Sequence, residues 1–305
     1  MYFSPRLRAI LQALFVTFLW STSWVLIKHA LHEIPPLTFA GLRYAIAFTV
    51  LSPGLWKHKV EIRALSAKQW RHLATLGLVF YTLTQGGQFL TLNHLEAVTF
   101  SLLLNFTSVL VAFFGTIALR EVPSRLQWAG IILFAVGVMV YFFPASTSGE
   151  KVLGFFLAGF TVCANAAASL LGRSANREKT IPPLIVTAIS MGVGAVSLLG
   201  IGLAVEGLPP LSPTGWAIIV WLAVVNTALA FTLWNRTLRI LSAVESSIIN
   251  NTMLVQIAVL AWLLLGERLA LCDVAGLVLA TVGILIAQLK LSRSQLLPLD
   301  HSPAT

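Results

Sequence analysis

The polar residues of this chain with the means to do chemistry lie inside stretches that are otherwise apolar. Asn105 and Asn251, each with a serine four positions earlier at Ser101 and Ser247, present amide and hydroxyl groups on one face of a helix. Gln85, Gln88, Asn165 and Asn226 add amides in other stretches, Trp20, Trp24 and Trp234 add rings able to stack on a solute, and Lys28 adds a cation attractive to a carboxylate. This is binding chemistry. Nothing pairs a nucleophile with a base: there is no His-Glu-x-x-His and no Asp pair within an apolar stretch, and the six histidines sit at or beyond the stretch ends without metal-ligand spacing. Cys163 and Cys272 give neither a disulfide framework nor a metal site, and no Gly-x-x-x-x-Gly-Lys-Ser/Thr loop is present to bind a nucleotide. No catalytic residue, metal or cofactor is expected, and the chain does not read as an enzyme.

The elements that must position these groups follow from composition. Hydrophobic residues make up 57% and charged residues 10% of the 305, against about 45–50% and about 25% in soluble domains. Such a chain is neither soluble nor disordered, and its long apolar runs disfavour an outer-membrane barrel, whose strands are short and alternating. Runs of membrane-spanning length cover residues 8–28, 37–56, 70–92, 96–119, 125–143, 151–172, 183–205, 214–235, 243–265 and 270–289. The expected fold class is an all-α polytopic membrane protein with ten transmembrane helices, the first retained rather than cleaved as a signal peptide.

Polar groups in hydrocarbon turn toward the bundle interior or a wet cavity, because lipid leaves their hydrogen bonds unmade. In the first run Thr17, Ser21, Trp24 and Lys28 form one stripe, with Trp20 beside it. That stripe reads either as a cavity wall with a cation at its mouth or as an interfacial tryptophan and a snorkelling lysine. The asparagines read either as solute ligands or as hydrogen-bonding glue between helices, and Trp234 either as a stacking ring or as part of an aromatic belt. Glu96 and Glu245 lie at helix starts, where negative charge is favoured, and Glu121 and Glu267 order short connections.

A net charge of +9 raises the question of nucleic acid, but the basic residues do not cluster on one face or helix. Sixteen of the 20 Lys and Arg fall in one set of alternating connections, whereas the other set holds only Lys28, Lys151 and Arg268. This bias predicts a multi-pass protein of the inner or plasma membrane with both termini cytoplasmic. The partners expected are the bilayer and a small-molecule solute, not nucleic acid.

The chain also repeats itself. At an offset of 146, Ala97, Ser101, Asn105, Glu121, Gly130 and Gly137 fall on Ala243, Ser247, Asn251, Glu267, Gly276 and Gly283, and Ile34-Pro35-Pro36-Leu37 recurs as Ile181-Pro182-Pro183-Leu184. Two halves of five spans each, residues 1–145 and 146–290, followed by a polar tail at 291–305, must cross the membrane in opposite senses. Inverted repeats recur in secondary transporters, with the solute site near the midplane between the halves.

Trp20-Ser21-Thr22-Ser23-Trp24 leading to Lys28, Pro35-Pro36 followed by Arg43, and the Glu-then-Gly pattern closing each half resemble an EamA-type member of the drug/metabolite transporter superfamily. The resemblance spans about residues 8–290, with Arg120 standing where glycine is usual and no second-half match to Trp20 or Lys28. It implies a secondary-active permease or exporter of small organic metabolites, above all amino acids or related zwitterionic and anionic solutes. In such proteins the first, third and fourth helices of each half line the cavity. Multidrug efflux of cationic or aromatic compounds and a non-transporting scaffold are the alternatives. The first and sixth runs contain no acid, against the small-multidrug type of cation antiport.

Overall fold

The computed structural model describes residues 4–119, 124–142, 149–177, 181–238, 240–241 and 243–288. The tail and Glu121 lie outside the described residues. Every regular element among the described residues is helical. Among the described residues five helices are long and apolar enough to cross a membrane, Pro5–Ala30, Lys151–Gly172, Pro183–Val205, Pro213–Trp234 and Ile248–Leu265, and the helical stretches Ala97–Val111, Arg125–Tyr141 and Leu271–Ala287 are apolar but shorter.

Local chemistry sets the helix starts. Ser4 accepts the Leu7 N–H ahead of Pro5 at the start of α1 (Pro5–Ala30). The repeated double prolines supply the N-cap and first residue of α2 (Pro36–Leu51) and of the long helix Pro183–Val205. A 3-10 turn (Ser52–His58) and the short α3 (Lys59–Arg63) lead to α4 (Ala67–Gly77), which a Ser66–Gln69 capping box opens. α4 then runs without a break through a π-helical segment (Leu78–Gln85) into α5 (Gly86–His94). The Thr84 hydroxyl donates to the Val79 carbonyl five residues back, which supports the wider turn.

The run expected as one helix over 96–119 is two: α6 (Ala97–Leu104) and α7 (Phe106–Leu119) meet at a turn on Asn105. The Asn105 side-chain amide donates to the Ser101 carbonyl at 2.8 Å while its own N–H reaches Leu102, a tighter bond than the α ladder makes. α8 (Arg125–Tyr141), α9 (Gly149–Arg177), α10 (Pro183–Val205) and α11 (Pro213–Ala223) follow. A second π segment (Val224–Leu229) joins α11 to α12 (Ala230–Thr237), and here the Thr227 hydroxyl donates to Leu222. The chain finishes with α13 (Ala243–Leu265) and α14 (Leu271–Gln288). Residues 78 and 224, where the π segments begin, stand 146 apart, the offset of the sequence repeat.

Packing follows the same offset. α8 lies along α14 so closely that a Cβ on Gly130 or Gly137 would meet the backbone of Ala287 or Ala280 at 2.3 Å. Gly130 faces Gly283 while Gly276 faces Gly137, so each contact has its repeat-related counterpart. Lipid offers no hydrophobic drive for helix pairing, and close backbone approach through small residues supplies it instead. Likewise α1 packs on α12 and α13 of the second half, and α9 on α5 and α7 of the first. The main core runs through α1, α2, α5, α6, α10, α11 and α13, and holds these elements around the space described next.

Candidate functional site

A cavity of about 270 Å³ lies between α1, α6, α7, α9 and α13. α1 contributes Trp24, braced by Phe100 at 5.3 Å. The broken helix contributes Ser101, Leu104, Asn105, Thr107 and Ser108; α9 contributes Asn165, whose amide donates to the Thr107 hydroxyl at 3.2 Å; and α13 contributes Asn250, Asn251, Met253, Leu254 and Ile257. Four lining positions of the first half, 104, 105, 107 and 108, return in the second as 250, 251, 253 and 254. Trp24, Ser101 and Asn251 are buried and Asn250 is exposed. No lining side chain is charged, and both halves supply polar and apolar groups: Ser101, Leu104, Asn105, Thr107 and Ser108 from the first, Asn165, Asn250, Asn251, Met253, Leu254 and Ile257 from the second.

Five residues singled out from sequence are thus brought together: Trp24, Ser101, Asn105, Asn165 and Asn251. The other six lie outside the lining. Trp20 packs on Trp234 and Phe231, with ring centroids 5.2 and 5.4 Å apart, as an aromatic joint between α1 and α12. Asn226 is fully buried in the second π segment, its amide nitrogen held by the Leu19 carbonyl and the Thr22 and Ser23 hydroxyls of α1. Gln85 accepts the Tyr44 hydroxyl at 2.6 Å, and Gln88 is half-buried on α5. Lys28 does not stand free at a cavity mouth: its ammonium donates to the Leu92 and Leu95 carbonyls at 2.7 and 2.9 Å, closing the end of α5. That is a C-terminal cap of the kind a helix dipole favours.

The rest of the α1 stripe is also structural. Ser21 donates to Gln256 at 2.9 Å, and Gln256 in turn reaches Thr17 and Thr252. Arg43 is buried, its Nε donating to Thr227 and its guanidinium 5.3 Å from the Tyr44 ring centroid, with no carboxylate in ion-pair range among the described residues. Leu104, Met253, Leu254 and Ile257 are lining residues that polarity does not single out. Carrying residues 104–108 across the 146-residue offset finds Asn250, Asn251, Met253 and Leu254 of α13 but not Ile257.

The two ends of the bundle are tied differently. At the Lys28 end, Glu206 accepts the Leu37 and Thr38 N–H groups at the start of α2, Glu33 accepts the Ser212 N–H and hydroxyl, Glu267 accepts the Ala97 and Val98 N–H groups, and Lys151 meets Glu96 at 3.4 Å. The Ser212 N–H and then its hydroxyl hold the exposed Glu33 carboxyl below its ordinary value. Burial pushes the Glu267 carboxyl above its own, against the pull of its two N–H partners. At the opposite end, Arg6 and Glu245 join α1 to α13 at 2.5 Å. No group of three or more His, Cys, Asp or Glu among the described residues is placed to hold a metal.

Several apolar helices of spanning length in one chain define a multi-pass membrane protein. The EamA-like transporter family matches the chain twice, over residues 7–143 and 152–288, and the chain belongs to that family, within the drug/metabolite transporter superfamily. It is similar to an uncharacterized transporter of Archaeoglobus fulgidus, 26% identical over 89% of this chain and 94% of the relative. It is also similar to a probable amino-acid metabolite efflux pump of Salmonella typhimurium, 27% identical over 90% and 92%. An S-adenosylmethionine/S-adenosylhomocysteine transporter of Chlamydia trachomatis is 24% identical over 82% and 80%. A solved crystal structure superposes with a TM-score of 0.65 at 18% identity, covering 92% of this chain and 97% of that one, a likeness of fold. The family and these relatives are transporters rather than enzymes.

Proposed function

We propose that this chain is a secondary-active transporter of small zwitterionic metabolites, foremost neutral amino acids, working by alternating access. On this reading ten helices form two inverted five-helix repeats, residues 1–145 and 146–290, with the cavity between them. The observation that carries it is the cavity wall: repeat-related positions of both halves converge on one space furnished with amides and hydroxyls and no charged side chain. A carboxylate finds donors there and an ammonium finds acceptors, each such bond worth about 1.5–3 kcal/mol, whereas a net charge would have no counter-ion.

Lys28, engaged at the end of α5, lends no pull toward anions, and the absence of a carboxylate from the lining disfavours cationic drugs. A cavity of about 270 Å³ lies at the small end of the about 300–1,000 Å³ that takes drug-sized ligands. Size therefore favours the solute class named for the Salmonella relative over that of the Chlamydia relative. The Arg6 end faces the cytoplasm on the strength of the Lys and Arg bias.

The test is counterflow by purified protein in liposomes against neutral amino acids, organic acids, S-adenosylmethionine and cationic dyes. Exchange of one or more neutral amino acids is the expected result. Exchange of dyes alone, or of no solute at all, would overturn the reading.

A further inference from the structure

Residues 52–71 carry the chain from the end of α2 through the 3-10 turn and α3 into α4. They hold five cations, Lys57, Lys59, Arg63, Lys68 and Arg71, and a single carboxylate, Glu61, which stands 3.2 Å from the His58 Nδ1. This elbow is fastened on its inner side. Leu55, Ile62 and Leu65 pack against a cluster that includes Leu73 and Leu76 of α4 and Ile185, Val186 and Ile189 of α10, and a Cβ on Gly54 would meet Leu184 at 3.1 Å. Those α10 residues form the opening turns of a helix of spanning length, so the elbow lies at the rim of the apolar slab.

The outer side mixes cations with apolar groups. All five cations are exposed, as are Trp70 and, at 74% and 79%, Trp56 and Val60. The Lys59 ammonium lies 5.3 Å from the Trp56 ring centroid, so cation and ring form one outward unit. The repeat shows that the turn can be built without these charges. Ser66 and Trp70 recur as Ser212 and Trp216 at the offset of 146, and Ser212 caps α11 as Ser66 caps α4. Yet residues 198–217, the counterpart of 52–71, contain no Lys or Arg. Exposed tryptophan beside clustered cations suits the bilayer interface, where the ring sits at headgroup depth and the cations meet phosphate.

We propose that this elbow is a docking surface for anionic phospholipid headgroups, with Lys57, Lys59 and Arg63 meeting their phosphates while Trp56 and Val60 enter the interface beside them. Five cations against one carboxylate select anionic over zwitterionic lipid, and the exposed ring and valine select a lipid surface over an acidic polypeptide. On the crossing pattern given above, the leaflet is the cytoplasmic one. The surface requires that the chain be embedded in a membrane, not that it transport.

The test is lipid titration of the full chain in non-ionic detergent micelles, read by an environment-sensitive fluorophore on Val60→Cys in a Cys163→Ser, Cys272→Ser background. Phosphatidylglycerol should shift the emission to the blue at lower concentration than phosphatidylcholine. Each cation near an anionic surface gives about a 5-fold preference at low salt. Lys57→Gln, Lys59→Gln and Arg63→Gln together should remove at least that factor, and about 1 M salt should abolish the preference. Neutralising three exposed cations elsewhere in the same set of connections, by Arg8→Gln, Arg125→Gln and Arg236→Gln, should leave it intact. Equal affinity for the two lipids in the parent, or equal loss in both triple variants, would overturn the proposal. So would poly-glutamate reproducing the shift at equal charge, because the surface would then read an acidic polypeptide. If the elbow triple variant does not assemble, Glu61→Gln, which removes the one carboxylate, should tighten phosphatidylglycerol binding about 5-fold, and unchanged affinity is equally fatal. The readout needs no solute: lipid preference in a protein that exchanges nothing sinks the transport reading alone, and amino-acid exchange without lipid preference sinks the docking surface alone.

Discussion

Asn105→Ala is the perturbation that separates a solute ligand from a structural amide. Its Nδ2 is engaged with the Ser101 carbonyl at 2.8 Å inside the same helix pair, which leaves its oxygen to meet a solute. Losing the internal bond costs the fold about 0.6 kcal/mol, the mean for polar side-chain contacts in membrane helices, so the variant assembles. Losing an acceptor for a bound ammonium costs about 1.5–3 kcal/mol, which raises the half-saturation concentration about 10- to 150-fold. Asn251→Ala, at the repeat-related position on α13, should do the same. Asn226→Ala is the control, because that side chain is fully buried against α1 and outside the cavity lining; it should change thermal stability and leave half-saturation untouched. The assay is the concentration dependence of counterflow for whichever amino acid exchanges fastest. Unchanged half-saturation in both Asn105→Ala and Asn251→Ala, with folded protein, refutes the assignment of the cavity as the solute site.

Two further outcomes are expected. Gly137→Ala sets a Cβ 2.3 Å from the Ala280 nitrogen, an overpacking that costs about 1–3 kcal/mol, and Gly276→Ala should match it because its contact with Tyr141 is the reciprocal one. Gly159→Ala, whose Cβ meets nothing within 4 Å, should be neutral or slightly stabilising, and equal Tm values in detergent for all three would contradict the α8–α14 interface. For orientation, exposed Cys272 should react with an impermeant maleimide only from outside the cell, and Arg125→Cys in a cysteine-free background only from the cytoplasm. Reaction of both from one side would refute the crossing pattern.

Much of the helical framework was legible because its signals are local. The repeated double prolines begin α2 and α10, and the apolar runs are helical over most of their described length. Asn105 and Asn251 were legible as cavity residues because each repeats the other across the offset of 146 and shares its helix face with serine. Asn226 is the same residue type in an equally apolar setting, yet it points into α1. Its helix widens to a π segment at Val224–Leu229, and the widening redirects side chains in a way that 3.6-residue periodicity cannot foresee. Lys28 misled for a different reason: its partners are carbonyls 64 and 67 residues away, and a bare carbonyl has no signature in sequence. The break at Asn105 was hidden too, since it arises from a side chain bonding its own backbone rather than from glycine or proline.

The repeat did more than locate the cavity; it divides the lining into two kinds of position. At 105 and 251 both halves keep asparagine, whereas 104/250, 107/253 and 108/254 pair leucine with asparagine, threonine with methionine, and serine with leucine. If the halves exchange roles when the open end changes, the matched asparagines offer a solute the same group in both states. The mismatched pairs then give a solute different neighbours in the two halves, Leu104, Thr107 and Ser108 against Asn250, Met253 and Leu254. Backbone asymmetry accompanies this: the turn at Asn105 breaks the first-half helix, while α13 passes through Asn251 unbroken. The two copies of one design thus differ in shape at the cavity, and Glu267 of the second half fastens the start of the broken helix in the first through the Ala97 and Val98 N–H groups.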